Sequence, residues 1–180
     1  GELTEKDRLD GKRVVITGSS SGLGYATAIE MAKRGAEVVM AVRSGIPDKG
    51  EKVKELSGSE KISMLFVDLS DIGSIMKFAD ELKEKYDKID ILICNAAVVP
   101  KKSRKTPHGL YQMFMVNYVA KFLLLNRLLY LDIFNRSNGQ VPRIIFVSSE
   151  SHRNPKSFDL QDFGEYKDFK IGKVMELYGH

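Results

Sequence analysis

The residues best suited to chemistry begin with a glycine run, Thr17-Gly18-Ser19-Ser20-Ser21-Gly22-Leu23-Gly24. It follows the β-branched run Arg13–Thr17 and leads directly into a helical pattern. A residue without a Cβ lets the chain turn tightly and lets a ligand approach the main chain. A helix that starts there adds unpaired N–H groups and a partial positive charge. Amides bared in this way suit a diphosphate, so Gly18, Ser20, Ser21, Gly22, Leu23 and Gly24 are candidate contacts for a dinucleotide. The placement between strand and helix gives the motif its weight; the competing reading is a tight turn that binds nothing. A second candidate is Asn117. Met113, Asn117, Ala120 and Leu124 make one helical stripe, and Asn117 is the amide in it. A buried amide needs partners, either structural or functional. Cys94 closes the mostly apolar run Ile89–Cys94 and reads as a small buried hydrophobe rather than a nucleophile. No metal-ligating set is assigned.

The elements that must position these groups alternate. Strands are expected at Arg13–Thr17, Glu37–Val42, Ile62–Val67, Ile89–Cys94 and Arg143–Val147. Helices are expected at Gly22–Arg34, weakly at Gly50–Leu56, at Asp71–Tyr86 and over a long stretch from Gly109 to Phe134. In the first helix Tyr25, Ala28, Ile29 and Ala32 recur at helical spacing, and Gly35 marks its stop. In the third, Ile72, Ile75, Met76 and Ala79 share a face. Largely apolar strands joined by helices predict an α/β fold, a three-layer, doubly wound parallel sheet with strand order 3-2-1-4-5. Its ligand crevice lies at the carboxyl ends of the strands. Pro100 to Pro107 is a basic loop, and Ser151 to Lys173 has no clear period.

The chain's 180 residues fit one Rossmann-type domain, 43% hydrophobic and 29% charged. The net charge of +4 is scattered over mixed-sign helices such as Lys77–Lys88, which reads as solvated surface rather than a nucleic-acid face. One cysteine precludes an internal disulfide and fits a reducing compartment, the cytoplasm. The oiliest stretch, Tyr118 to Phe134, is interrupted by Lys121, Asn126, Arg127 and Asp132, so no membrane span is expected. A start at Gly1 leaves room for a trimmed leader or anchor.

Three residues separate Gly18 from Gly22, and one separates Gly22 from Gly24. This TGxxxGxG spacing resembles the short-chain dehydrogenases/reductases, and the resemblance extends from Asp10 to Tyr178. It implies a dinucleotide-binding domain whose adenine is contacted at Asp68 and Leu69. Cys94-Asn95-Ala96-Ala97 stands where the family has Asn-Asn-Ala-Gly, so Asn95, Ala96 and Ala97 are implied cofactor neighbours, with Cys94 and Ala97 departing from the pattern. Phe146-Val147-Ser148-Ser149 resembles the catalytic-serine segment, with Ser149 the implied catalytic hydroxyl. Asn117 matches the catalytic asparagine, implied to hold a water that relays protons. Tyr178 is the implied catalytic tyrosine, with Tyr166 its rival.

Tyr178 lies 29 positions after Ser149. That separation resembles the branch holding retinol dehydrogenases, WW-domain oxidoreductases and protochlorophyllide reductases, which implies a bulky apolar substrate. The resemblance also implies a homodimer through the helix bearing Asn117. Only Gly179 and His180 follow Tyr178, so the family's lysine four positions on falls outside the sequence. The chain is therefore read as an enzyme truncated before its sixth and seventh strands and its substrate lobe, with little turnover expected of these 180 residues alone.

Where NAD-specific relatives end the second strand in an acid, this chain has Val42 followed by Arg43. A guanidinium grips a 2′-phosphate that a carboxylate would repel. The expected function is NADP(H)-dependent hydride transfer between a carbonyl and an alcohol, with NAD(H) as the lesser cofactor. The alternative is a non-catalytic dinucleotide-binding or regulatory protein.

Overall fold

The computed structural model describes Thr4, residues 6–134 and 141–153, Tyr166 and Asp168. Five strands form one sheet: β1 (Arg13–Thr17), β2 (Glu37–Val42), β3 (Ile62–Phe66), β4 (Ile91–Cys94) and β5 (Arg143–Phe146). All pairings are parallel and the order is β3-β2-β1-β4-β5, as the strand–helix alternation predicts. Parallel strands need covered crossovers, and the helices supply them on both faces. β1 sits at the centre, where Val14, Val15 and Ile16 are wholly buried.

One face is covered by α1 (Gly22–Lys33) and α2 (Asp48–Ser57), the other by α3 (Ile72–Lys85) and α5 (Ala120–Tyr130). α1 lays Gly24, Ala28 and Ala32 on the sheet, while Tyr25 and Ile29 of the expected stripe are half-buried. These small side chains let the helix axis approach closely. α2 begins two residues before the expected Gly50. Pro47 stands at its N-cap, where a missing N–H costs nothing, and Asp48 and Glu51 occupy the first turn. Asp71 caps α3 by accepting from the Gly73 amide at 2.8 Å. The buried face of α3 is Ile75, Phe78, Ala79 and Leu82, so Phe78 and Leu82 take the place expected of Ile72 and Met76.

The long helix expected over Gly109–Phe134 is interrupted. Gly109 lies in a turn, a short α4 spans Gln112–Phe114, Met115–Val119 is π-helical, and α5 ends at Tyr130. The Ala120 amide donates to the Met115 carbonyl, the five-residue bond of a π turn. β4 begins at Ile91 rather than Ile89, because Asp90 turns inward to accept the Arg13 amide at 2.8 Å.

Candidate functional site

The glycine loop leaves the carboxyl end of β1, and two of its glycines are required by what lies against them. A Cβ on Gly18 would stand 2.8 Å from the Ala96 Cα, at a residue whose φ is already +67°. One on Gly24 would meet the Asn95 side-chain amide and stand 2.6 Å from the Gly18 carbonyl. The main chains of the loop, of α1 and of the segment after β4 are therefore in mutual contact. Ser19 turns inward and donates to the Ile16 carbonyl at 3.0 Å, leaving Ser20 and Ser21 on the crevice.

Ser21 is the N-cap of α1, makes no side-chain cap bond, and is followed by no acid in the first turn. The amides that open α1 thus have no carboxylate beside them. A bare helix start with a glycine floor fits a dinucleotide diphosphate, which supplies the missing negative charge.

Asn95 braces this cradle. Its Nδ2 donates to the carbonyls of Thr17 (3.0 Å) and Gly18 (3.3 Å). Thr17, absent from the expected site, supplies the opposing half. Its Oγ1 accepts from the Asn95 and Ala96 amides, both at 3.1 Å, and donates to the Ile93 carbonyl at 3.5 Å. One donor and two acceptor sites exhaust a hydroxyl. A threonine closing a strand just before the glycines was the available signal.

A crevice of about 360 Å³ opens at the carboxyl ends of the strands. It brings together Gly18, Ser20, Ser21, Arg43, Asp68, Leu69, Asn95, Ala96 and Ala97, nine of the residues expected at a cofactor. Gly22, Leu23 and Gly24 lie beside it rather than on its wall, and Leu23 is exposed. Val42, read as the end of the second strand, lines it too, and so do Ala41, Ser44, Val67, Val98 and Val116, which were not foreseen because small and aliphatic side chains carry no chemical signature. Asp68 Oδ1 accepts from the Ser70 amide (2.9 Å) and hydroxyl (2.6 Å), which fixes the carboxylate at the wall. Arg43 is exposed at the rim, with no carboxylate paired to it among the described residues.

Asn117 lies in the π-helical turn. Its Oδ1 accepts from the Val98 amide at 2.8 Å and its Nδ2 donates to the Val98 carbonyl at 3.0 Å. This two-point clamp fixes the loop after β4 and leaves one amide hydrogen of Asn117 for another acceptor. Ser149 follows β5, half-buried, and its hydroxyl donates to Ser151 Oγ while accepting from the Ser151 amide, both at 3.2 Å. Tyr178 lies outside the described residues. Cys94 is buried as expected, and desolvation pushes its thiol up to about 11.

The sheet order 3-2-1-4-5, with its crevice at the carboxyl ends of the strands, is a Rossmann-like α/β fold. The family profile for short chain dehydrogenase matches residues 12–158, and the chain belongs to that family. It is 36% identical to the WW domain-containing oxidoreductase of Gallus gallus over 154 residues, 84% of this chain and 36% of that protein. It is 35% identical to retinol dehydrogenase 13 of Mus musculus over 157 residues, 84% of this chain and 45% of that protein. The chain thus spans less than half the length of these curated relatives. Among solved structures, an uncharacterized protein from Mycobacterium Paratuberculosis superposes with a TM-score of 0.75 at 28% identity, covering 100% of this chain and 61% of that one. The 3-ketoacyl-(acyl-carrier-protein) reductase of Brucella melitensis, solved with NADH, gives 0.66 at 28% identity, covering 82% and 61%. Among the described residues no helix is long and apolar enough to cross a membrane.

Proposed function

We propose that this protein is an NADP(H)-dependent oxidoreductase that interconverts a carbonyl and an alcohol on a bulky apolar substrate. The observation that carries the reading is the crevice itself, with Ser20 and the α1 N-cap Ser21 on one wall and Arg43, unpaired among the described residues, at its rim. When bound, a nicotinamide dinucleotide gives or takes the hydride. The loop from Gly18 to Gly24 holds the diphosphate on main-chain amides. Asp68 and Leu69 flank the adenine, and Asn95, Ala96 and Ala97 floor the crevice toward the nicotinamide end. Arg43 grips the 2′-phosphate as a fork.

Ser149 donates a hydrogen bond to the substrate oxygen and steadies the charge that develops there. To do so its hydroxyl exchanges Ser151 for substrate. Tyr178 gives the proton in reduction and takes it in oxidation. Asn117 keeps the Val98 loop in place, and its spare amide hydrogen is a site for the relay water. The apolar substrate class rests on relatives such as retinol dehydrogenase 13. A homodimer through the helix bearing Asn117 and residence in the cytoplasm belong to the same reading. The Brucella reductase solved with NADH makes NAD(H) the alternative cofactor, and Arg43 tips the choice.

Titration calorimetry with NADPH and NADH tests this. Replacing Arg43 by Glu should weaken NADPH about ten- to a hundredfold, the worth of a charged hydrogen bond, and leave NADH nearly unchanged. Equal losses for both cofactors would remove the 2′-phosphate assignment. Tight binding by the full-length protein without any turnover would favour a regulatory dinucleotide-binding protein instead.

A further inference from the structure

Just past the last pair of β4 and β5, the sheet loses a rung. The Arg143 amide donates to the Asp90 carbonyl (2.9 Å), and the Val147 amide donates to the Cys94 carbonyl (3.1 Å). In a parallel ladder of this register, Cys94 opposite Phe146, the next bond runs from the Ala96 amide to the Val147 carbonyl. That bond is not made, because the Ala96 amide donates to Thr17 Oγ1. The Val147 carbonyl is thereby orphaned two residues before Ser149. Lys121 fills the vacancy. It stands one helical turn beyond Asn117, and its Nζ reaches the Val147 carbonyl at 3.3 Å.

We infer that Lys121 is a positioning residue for Ser149: it replaces the backbone rung surrendered to Thr17 and holds the end of β5 at its distance from the Asn117 turn. Successive turns of one helical rod then grip the two segments that leave β4 and β5, Asn117 on Val98 and Lys121 on Val147.

The environment of Lys121 fits a specific use rather than a solvated surface charge. The side chain is half-buried, and desolvation lowers its pKa, with the neighbouring Cys94 acting in the opposite sense. No carboxylate is paired with it among the described residues. A half-buried ammonium bonded to one carbonyl is costly where an aliphatic side chain would fit.

The inference rests on Ser149 acting in catalysis, so its test includes a readout that needs no turnover. Hydrogen exchange by mass spectrometry, thermal melting and NADPH reduction of an aldehyde are compared in the full chain for wild type, Lys121→Met and Lys121→Arg. Methionine keeps the stem and removes the donor and the charge. In Lys121→Met the Val147–Ser149 segment should exchange about five- to tenfold faster, the effect of one lost hydrogen bond, with β1–β3 unchanged. The Tm should hold or rise, because a buried charge is gone, and NADPH affinity should stay within about twofold. kcat should fall about tenfold at unchanged KM for NADPH, and Lys121→Arg should restore both the exchange rate and kcat.

Unchanged exchange at Val147–Ser149 overturns the inference, as does a loss of protection spread over the whole sheet. A full-length wild-type protein that binds NADPH but turns nothing over defeats the proposed activity, and the exchange data alone then decide the role of Lys121. If the methionine variant fails to fold, Lys121→Gln, a donor too short to reach, takes its place with the same expected loosening.

Discussion

Asn95 and Thr17 stand 78 positions apart and hold each other's loops. Thr17 commits its hydroxyl and Asn95 its amide nitrogen to these bonds, so the cradle is braced before a ligand arrives, which limits the ordering cost of binding. Of the residues read from sequence, the glycines were legible because their chemistry is local: a turn, a close approach, a helix start. Thr17 and Lys121 were not. Their roles depend on which neighbour each finds across the sheet, and spacing along the chain carries no record of that. Cys94 was legible as a buried thiol, and burial has a consequence for pH. The unfolded chain loses that proton near the ordinary 9.0, whereas the folded chain keeps it to about 11. Stability present below pH 9 is therefore lost as pH rises toward 11, by an amount on the order of 2 kcal/mol. Lys121, lowered by burial, contributes in the opposite direction as its ordinary range is approached. Urea titrations from pH 8 to 11 should show a shallower alkaline decline for Cys94→Ala than for wild type. Parallel declines would mean that the thiol is not the group responsible.

At the scale of elements, the helical rod from Gln112 to Tyr130 departs most from its expected form. Apolar periodicity predicts a rod, and it does so correctly, but a π turn adds a residue without disturbing the polarity pattern around it. The signal that could have located it is Asn117 itself, an amide on a buried stripe that must be swung toward a loop. Met113, Ala120 and Leu124 of that stripe are buried as expected. The opposite side carries Tyr118, Phe122, Leu129 and Tyr130, from 49% to 80% exposed. Tyr111, Phe114 and Tyr118 stack along the rod at ring separations of 5.6 and 5.4 Å. If two copies meet on this face, Phe122→Glu should raise the dimer dissociation constant at least tenfold, since one buried aromatic is worth roughly 1.5–3 kcal/mol. Sedimentation equilibrium measures this directly, and an unaltered association constant would place the interface elsewhere.

For the whole molecule, two separate cores share one sheet. One lies under α1 and α2 and the other under α3 and α5, with β1 contributing Val14 and Ile16 to the first and Val15 to the second. The five-strand topology was legible because every strand is apolar on both faces and every crossover is helical. The crevice joins halves of another kind, divided along the strand order rather than between the sheet's faces: Arg43 and Asp68 follow β2 and β3, and Asn95 to Val98 follow β4. A dinucleotide seated there binds neither half by itself, so it should stabilise against global unfolding. At about a hundredfold its dissociation constant, NADPH should add about 2.7 kcal/mol to the unfolding free energy without changing the urea slope. A gain in one of two resolved transitions would show that the halves unfold independently.

The Asn95 brace also orders events during synthesis. A ribosome releases the glycines first, and β1 and β2 can pair once Val42 has followed them. The asparagine that props those glycines emerges more than seventy residues later. A nascent chain stalled between the two points carries the complete fingerprint and no working pocket. On the function proposed above, a nucleotide would act as a late checkpoint, recognising the newborn protein only after β4 has been threaded beside β1.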